Sequence, residues 1–361
     1  MIDERHFSFR NKIGALLLDY PRYVRTVMVP ASLGGGWVRY RNRHDVIVAH
    51  SSGRGVRCNW NYSRDLHLSR VFPSTGVALM RRALREWPIK LKQVPACFSP
   101  DHIGANSTSA GSKPDISFVI GHRGVERLPL LLQMLKSIAA QERVSFECIV
   151  VEQDIEPRVR DHLPAWVRHV FQESPGDDFA YARSWALNAG ARVARSDLFV
   201  FHDNDMLVPV HYASELCGRF QGGYEVMNLK RFIFYLSAGE NVWPVHSPSF
   251  DAIVENLEAG GSVAVAREAF EAIGGYDELF VGWGGEDIEF WERCRTRKVW
   301  EYAYMPIVHL WHEPQPGKRA KNGLGEATAD LTESLMKVPP EERIDELVKR
   351  RRGGLIWEKA C

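Results

Sequence analysis

The sequence lacks several features that would classify it at once. No run approaches the ~18 uninterrupted apolar residues of a membrane span, so a soluble or at most peripheral protein is expected. Met1–Arg10 carries Asp3, Glu4, Arg5 and His6 and has no apolar core, so it does not read as a secretory signal. The six cysteines (Cys58, Cys97, Cys148, Cys217, Cys294 and Cys361) are scattered and include no CxxC pair. That argues against a zinc ribbon or disulfide framework and for reduced, mostly buried thiols in a cytoplasmic protein. Internal repeats are absent, and net charge is nearly so, at +1.

What is present is ordinary in total and uneven in distribution. Of 361 residues, 45% are hydrophobic and 25% charged, which suits a globular chain of about two domains and excludes a disordered or fibrous one. Through Ser112 there are 17 Lys+Arg against 7 Asp+Glu, and from Lys113 onward 29 against 38. A basic N-terminal third is joined to an acidic body.

In the basic part, residues 1–98, strands are expected at Tyr23–Val29, Gly36–Tyr40 and Val46–Ala49, and a helix from about Thr75 to Trp87, stopped by Pro88. This is a basic α+β accessory region. Residues 99–114, rich in Ser, Gly and Asn, read as a linker. Beyond it, strands are expected at Ile116–Ile120, Phe146–Val151 and Leu198–His202, with helices at about Leu128–Gln141 and Phe179–Arg195. Such alternation predicts an α/β fold with a mostly parallel sheet and flanking helices. Ligands bind beyond the carboxyl ends of such strands, where Arg123, Glu152, Asp154, Asp203 and Asp205 fall.

Three motifs carry the candidate chemistry. Asp203-Asn-Asp205 follows an apolar strand; two carboxylates there suit a hard divalent cation, although Asp-Asn-Asp is also good turn chemistry. Gly282-Trp-Gly-Gly-Glu-Asp287 places Glu286 and Asp287 in the first turn of an expected helix. A helix dipole favours carboxylates there, so a cap is one reading. Trp283 between glycines favours another, a sugar platform beside a general base. His309-Leu-Trp-His312 is the third; on a strand Ile307–Trp311 the two imidazoles fall on opposite faces, so only one reaches a metal.

In this order the motifs resemble the GT-A fold of family-2 and family-7 glycosyltransferases, from about Asp115 to Gly317. The Trp-Gly-Gly-Glu-Asp run is similar to the acceptor-side motif of animal β-1,4-galactosyltransferases and of bacterial chondroitin- and hyaluronan-type polymerases. Ile120-Gly-His-Arg123, Tyr181-Ala-Arg183 with Leu187-Asn-Ala-Gly190, and Gly260-Gly-Ser262 also resemble family segments. Gly121 stands where the family usually has proline. The resemblance bounds a GT-A domain at 115–323, leaving a C-terminal helical extension at 324–361.

It further implies an inverting transfer from a UDP-sugar, galactose or N-acetylgalactosamine favoured, to a glycan or lipid-linked glycan hydroxyl, as in polysaccharide biosynthesis. The metal would be Mn2+ first and Mg2+ second, held by Asp205 and a histidine: Pro306 spacing favours His309 slightly, and the following Glu-Pro favours His312. Asp203 would lie nearer the ribose or act through water, and Arg123, Asp154, Tyr181 and Arg183 would hold the nucleotide. Gly261 would line the donor sugar, with Trp283 as platform. Asp287 is the implied base, with Glu286 orienting acceptor hydroxyls.

Two other classes use the same residues: a metal-dependent hydrolase, which would want a second metal, and a non-catalytic carbohydrate- or nucleotide-binding module. The basic N-terminal region reads as an acceptor-binding or peripheral membrane-docking module, or as an Arg-rich extension packed on the acidic body; nucleic acid is not expected. Lys349–Arg352 is either a lipid contact or a solvated helix face. Trp243 and His246 either line an acceptor groove or, for the Trp, anchor packing.

Overall fold

A computed structural model describes residues 37–41, 46–50, 55–58, 73–93, 113–176, 178–239, 243–244, 249–255, 260–300, 303–313 and 324–352. The expected strand Tyr23–Val29, the 99–112 part of the linker and His246 lie outside them. In chain order come β1 (Trp37–Arg41), β2 (Val46–His50), β3 (Gly55–Cys58), α1 (Pro73–Glu86), β4 (Ile116–His122), α2 (Leu128–Ala139), β5 (Phe146–Asp154) and β6 (Val167–Glu173). Then follow α3 (Arg183–Val193), β7 (Leu198–His202), β8 (Met206–Leu207), α4 (Tyr212–Gln221), β9 (Val226–Met227), β10 (Lys230–Leu236) and β11 (Phe250–Glu255). The series ends with β12 (Ser262–Ala266), α5 (Arg267–Ala272), α6 (Glu286–Cys294), β13 (Val299–Trp300), β14 (Met305–His309), α7 (Leu324–Met336) and α8 (Pro340–Arg352).

The central sheet has strand order β13-β9-β12-β7-β4-β5-β6. Its β7-β4-β5-β6 half is parallel, and β12 runs antiparallel to both β7 and β9. β4, β5 and β7 are buried along nearly their whole length and largely apolar on both faces, as burial on both sides requires, whereas the edge strand β6 is partly exposed. Ile116, Phe118, Ile120, Cys148, Val150, Leu198 and Val200 face one core with α2. Val119, Ile149, Val151, Phe199 and Phe201 face the other, with α3, α5 and α6. Burying each such side chain contributes roughly 1.5–3 kcal/mol. On α3, a Cβ at Gly190 would lie 2.4 Å from Val119 Cγ1, so glycine lets this helix sit directly on the sheet.

A second sheet, β11-β10-β14-β8, flanks the first, and β1-β2-β3 form an antiparallel sheet of their own. α1 falls within the 1–98 region, yet Leu79, Met80 and Ala83 are buried in the same core as α2. The bond from Val210 N to Pro88 O (2.9 Å) ties its exit to the body.

Several expected boundaries move, each for a local reason. α2 ends at Ala139 because Gln141 turns away, its Nε2 donating to Pro209 O (2.8 Å) and its Oε1 accepting from Ala213 N (2.8 Å). α3 begins only at Arg183, because Gln153 Oε1 accepts from Ala182 N (2.7 Å) and holds Ala182 outside the helix. β14 stops at His309 rather than running to Trp311, because Leu310 N donates to Asp205 O (2.8 Å).

The C-terminal helices are packed on α6. Arg293 pairs with Glu289 (2.5 Å) and donates to Ile273 O and Gly275 O, all buried, while Arg343 of α8 reaches the same Glu289 at 2.8 Å. The basic run of α8 follows neither expectation entirely. Arg350 pairs with Asp277 (3.0 Å) and the Arg351 guanidinium lies over the Phe270 ring, because this helix face docks on the domain. Among the described residues no helix is long and apolar enough to cross a membrane, and Cys148, Cys217 and Cys294 are free and buried. Trp243 is a packing anchor, half-buried against the core with Nε1 donating to Ile89 O (3.2 Å).

Candidate active site

The loops leaving β4 and β7 meet the end of β14 at one edge of the parallel sheet. Pairing of Met206 with His309 between β8 and β14 brings Asp205 beside the histidines. Asp205 Oδ1 lies 3.6 Å from His309 Nε2, and Oδ2 lies 3.3 Å from His312 Nε2. One ligand atom from each of the three residues falls within 4.8 Å of the others. The opposite-face expectation for the histidines fails because the strand ends at His309, so the chain carries His312 back towards Asp205.

Asp205 is buried, which opposes its charge, but His309, His312 and Arg127 together hold its carboxyl well below the usual carboxylate range. Burial lowers His309, with Asp205 pulling the other way. Its ring stacks on Tyr235 at 4.4 Å, a neighbour set by the parallel β10–β14 register. Asp205 Oδ1 is buried and has no hydrogen-bond partner. An ionised carboxylate with a spare oxygen, facing imidazole nitrogens, fits a divalent cation such as Mn2+ or Mg2+.

The other two residues of the loop do different work. Asp203 Oδ1 accepts from Arg183 Nε (3.1 Å) and Nη2 (2.7 Å). Asn204 Nδ2 pairs with His122 Nδ1 (2.8 Å), locking this loop to the end of β4. Asp203 N donates to Gly261 O (2.8 Å), and Gly261 has φ +83° with Met206 packed 2.5 Å from where a Cβ would stand.

Arg183 links this cluster to α6, its Nη1 lying 3.5 Å from Glu286 Oε1. Burial raises Glu286 to about 7, against the pull of Arg183 and with Asp287 adding to the rise. Both Arg183 Nη1 and Glu286 Oε2 are buried without a hydrogen-bond partner. Asp287, next to Glu286 and half-exposed, has Oδ1 accepting from Ile288 N (2.8 Å). Before it, Gly282, Gly284 and Gly285 all have positive φ, and a Cβ at Gly285 would meet Thr332 Oγ1 of α7 at 1.9 Å. Trp283 stands out from this turn, 48% exposed, its carbonyl accepting from Thr328 Oγ1 (2.7 Å).

Tyr181 lies under the turn: its carbonyl accepts from Gly282 N (3.1 Å), and a Cβ at position 121 would stand 2.0 Å from its hydroxyl. Gly121, the departure from the family pattern, is thus the residue that admits Tyr181. Arg123 Nη1 donates to Phe179 O, bracing the segment ahead of Tyr181. Asp154 is buried at the end of β5, its Oδ1 accepting from Ile155 N (2.8 Å); among the described residues it reaches neither Arg123 nor Arg183. Glu152 is a structural carboxylate, accepting from Arg158 N, Val159 N and His169 Nε2.

Sequence reasoning missed Arg127, which bonds to Asp205 and His312, as well as the His122–Asn204 pair and Tyr235. A second arginine four residues after Arg123 in the same strand exit was the available signal for Arg127.

Residues 251–310 match the family model described as the N-terminal domain of galactosyltransferase. Validoxylamine A glucosyltransferase of Streptomyces hygroscopicus subsp. jinggangensis (strain 5008) is 26% identical over 214 residues, 48% of this chain and 50% of that protein. The same-named protein of S. hygroscopicus subsp. limoneus is 26% identical over 253 residues, 59% of this chain and 52% of that one. The chain therefore spans about half the length of these curated relatives. Among solved structures, the catalytic domain of Drosophila beta1,4galactosyltransferase 7 in complex with xylobiose matches at 20% identity and TM-score 0.34, over 59% of this chain and 79% of that one.

The sequence matches support one class, a glycosyltransferase, consistent with the mixed α/β sheet and its flanking helices. Within that class, the stretch from β11 to the end of β14 is the part that resembles a galactosyltransferase domain.

Proposed function

We propose that this chain is an inverting, metal-dependent glycosyltransferase. It would move a hexose or N-acetylhexosamine, galactose or N-acetylgalactosamine favoured, from a UDP-sugar to a hydroxyl of a glycan acceptor. The observation that carries the reading is the convergence of Asp205, His309 and His312 beside a chain of charge, Asp203–Arg183–Glu286, that ends at the glycine-rich turn and Asp287. A divalent cation held by Asp205 and the two imidazoles would offset the negative charge that grows on the departing diphosphate.

The protein's own groups account for the rest. Arg183, fixed by Asp203, and Arg123, fixed by the Phe179 carbonyl, hold positive charge beside the nucleotide; such orientation supplies much of a transfer rate. Tyr181 gives the nucleotide a wall, and Asp154 closes the end of β5. Gly261, whose side-chain position is taken by Met206, would line the donor sugar with bare backbone beside Asp203. Trp283 offers a flat, exposed face to an acceptor sugar.

Asp287 takes the proton from the acceptor hydroxyl as that oxygen attacks the anomeric carbon. Its half-exposed carboxylate can meet an acceptor arriving from solvent. Glu286 has the pKa near neutrality that suits a base, about 7, but its carboxyl is turned inward to Arg183. It therefore fits better as the group that orients acceptor hydroxyls through Oε2.

The acceptor is a glycan, free or lipid-linked, and a polysaccharide-building role at the cytoplasmic face of a membrane is consistent with the basic residues 1–112 as a docking element. Liposome flotation with and without those residues tests this last part; equal flotation removes them from the argument. The activity itself is tested by UDP release from a panel of UDP-sugars with Mn2+, with and without glycan acceptors. Acceptor-stimulated release that EDTA abolishes supports transfer. Metal-dependent release that no acceptor stimulates supports a hydrolase, and binding without turnover supports a non-catalytic module.

A further inference from the structure

Arg127 precedes α2 and reaches into the metal cluster. Its Nη1 donates to Asp205 Oδ2 (3.3 Å), and its Nη2 lies 3.1 Å from His312 Nδ1. A guanidinium has only donors, so the second contact needs a bare Nδ1 on the imidazole. A neutral His312 of that kind carries its proton on Nε2, which then donates to Asp205 Oδ2 at 3.3 Å. Asp205 Oδ2, Arg127 and His312 are then held together without a metal, and Asp205 Oδ1 alone is left without a partner.

Nδ1 has a second neighbour, however. Glu313 O lies 2.8 Å away, and a carbonyl only accepts, so this bond requires the proton on Nδ1. One nitrogen thus faces a donor and an acceptor and can serve only one at a time. With the proton on Nδ1, the Nε2 lone pair faces the Asp205 carboxylate, an arrangement that calls for a cation between them. A carbonyl partner on the outer nitrogen is also how metal-ligating imidazoles are usually oriented. In this second state Arg127 has lost its acceptor on His312, and its charge opposes the incoming ion.

We propose that Arg127 is a resident cation that holds the Asp205–His312 edge in the absence of a divalent ion. A tautomer change of His312 releases it when the ion binds, and the freed guanidinium then moves to the diphosphate that enters with the ion. The location fits: Arg127 closes the β4–α2 loop at the carboxyl edge of the parallel sheet, and guanidinium suits bidentate contact with phosphate. Arg127 is thereby a positioning residue that weakens metal binding alone and couples it to the nucleotide. The proposal rests on the reading of Asp205, His309 and His312 as a metal centre.

Calorimetric titration of Mn2+ into wild type and Arg127→Gln, with and without saturating UDP, tests it. Without UDP the variant should bind Mn2+ about tenfold more tightly than wild type, and the gain on adding UDP should shrink by about tenfold. Unchanged or weaker Mn2+ binding by the variant overturns the proposal. A second readout needs no variant: 15N spectra of wild-type His312 should show the proton on Nε2 without metal and on Nδ1 with Mg2+. The same tautomer in both states contradicts the proposal. Failure of the wild type to bind Mn2+ at all is a different result, because it removes the metal centre itself and the release mechanism with it.

Discussion

Asp205 and Glu286 are both buried carboxylates at the ends of one site, and their surroundings drive them in opposite directions. Asp205 faces two imidazoles and a guanidinium, which outweigh burial and keep it ionised. Glu286 shares Arg183 with Asp203 and has Asp287 beside it, so burial wins and its carboxyl rises to about 7. What separates them is the number of cationic or proton-donating partners per carboxylate. Two acids whose pKa values are driven apart can take different roles, one holding charge and the other able to donate a hydrogen bond near neutrality. A third buried carboxylate, Glu289 on the same helix as Glu286, is claimed by both Arg293 and Arg343 and serves structure alone.

The comparison can be broken most decisively at the residue assigned to the chemistry. Asp287→Asn should lower turnover by about 10²–10⁴-fold while UDP-sugar binding is kept. Turnover above about a tenth of wild type would exclude Asp287 as the base.

Next in size is the structural acid. Arg293→Ala leaves Glu289 with Arg343 alone and strips two backbone carbonyls of their donor, so stability should fall by about 3–5 kcal/mol in urea unfolding. A loss under about 1 kcal/mol would mean that the α6–α8 clamp is dispensable.

At Asp205 itself, replacement by Asn removes the charge that the imidazoles and Arg127 surround. Mn2+ affinity should drop by about 100-fold, read by calorimetry.

The smallest effect concerns Glu286 and pH. Its folded pKa is raised, so the folded state binds this proton more tightly than the unfolded chain does. The resulting stability is fully present below the unfolded value of about 4.5 and is lost as pH rises through about 7. Glu286→Gln, which cannot ionise, should therefore lose less stability than wild type between pH 5 and 8, by up to about 2.5 kcal/mol. Parallel pH profiles for the two proteins would show Glu286 to be an ordinary carboxylate.

Much of this arrangement is written locally in the chain. The apolar runs of β4, β5 and β7 announce a sheet buried on both faces, and the Asp203–Asp205 loop follows at once. Glu286 and Asp287 open α6 where the glycines stop. What the chain does not announce depends on contacts far apart in sequence. The start of α3 is set by the Gln153 side chain, 29 residues earlier. His312 reaches Asp205 only because the strand ends at His309, which a two-residue period cannot foresee. Arg127 reads as the start of a helix until the fold brings Asp205 and His312 to it. The Glu313 partner of His312 is a backbone carbonyl, which no residue type encodes.

The central claim, that Asp205 and the two histidines hold a divalent cation on which donor binding depends, meets its most direct test in calorimetric titration of UDP with Mn2+ and with EDTA. UDP binding that requires Mn2+ and is lost in Asp205→Asn is the predicted result. Equal UDP affinity with EDTA and with Mn2+ would contradict the claim.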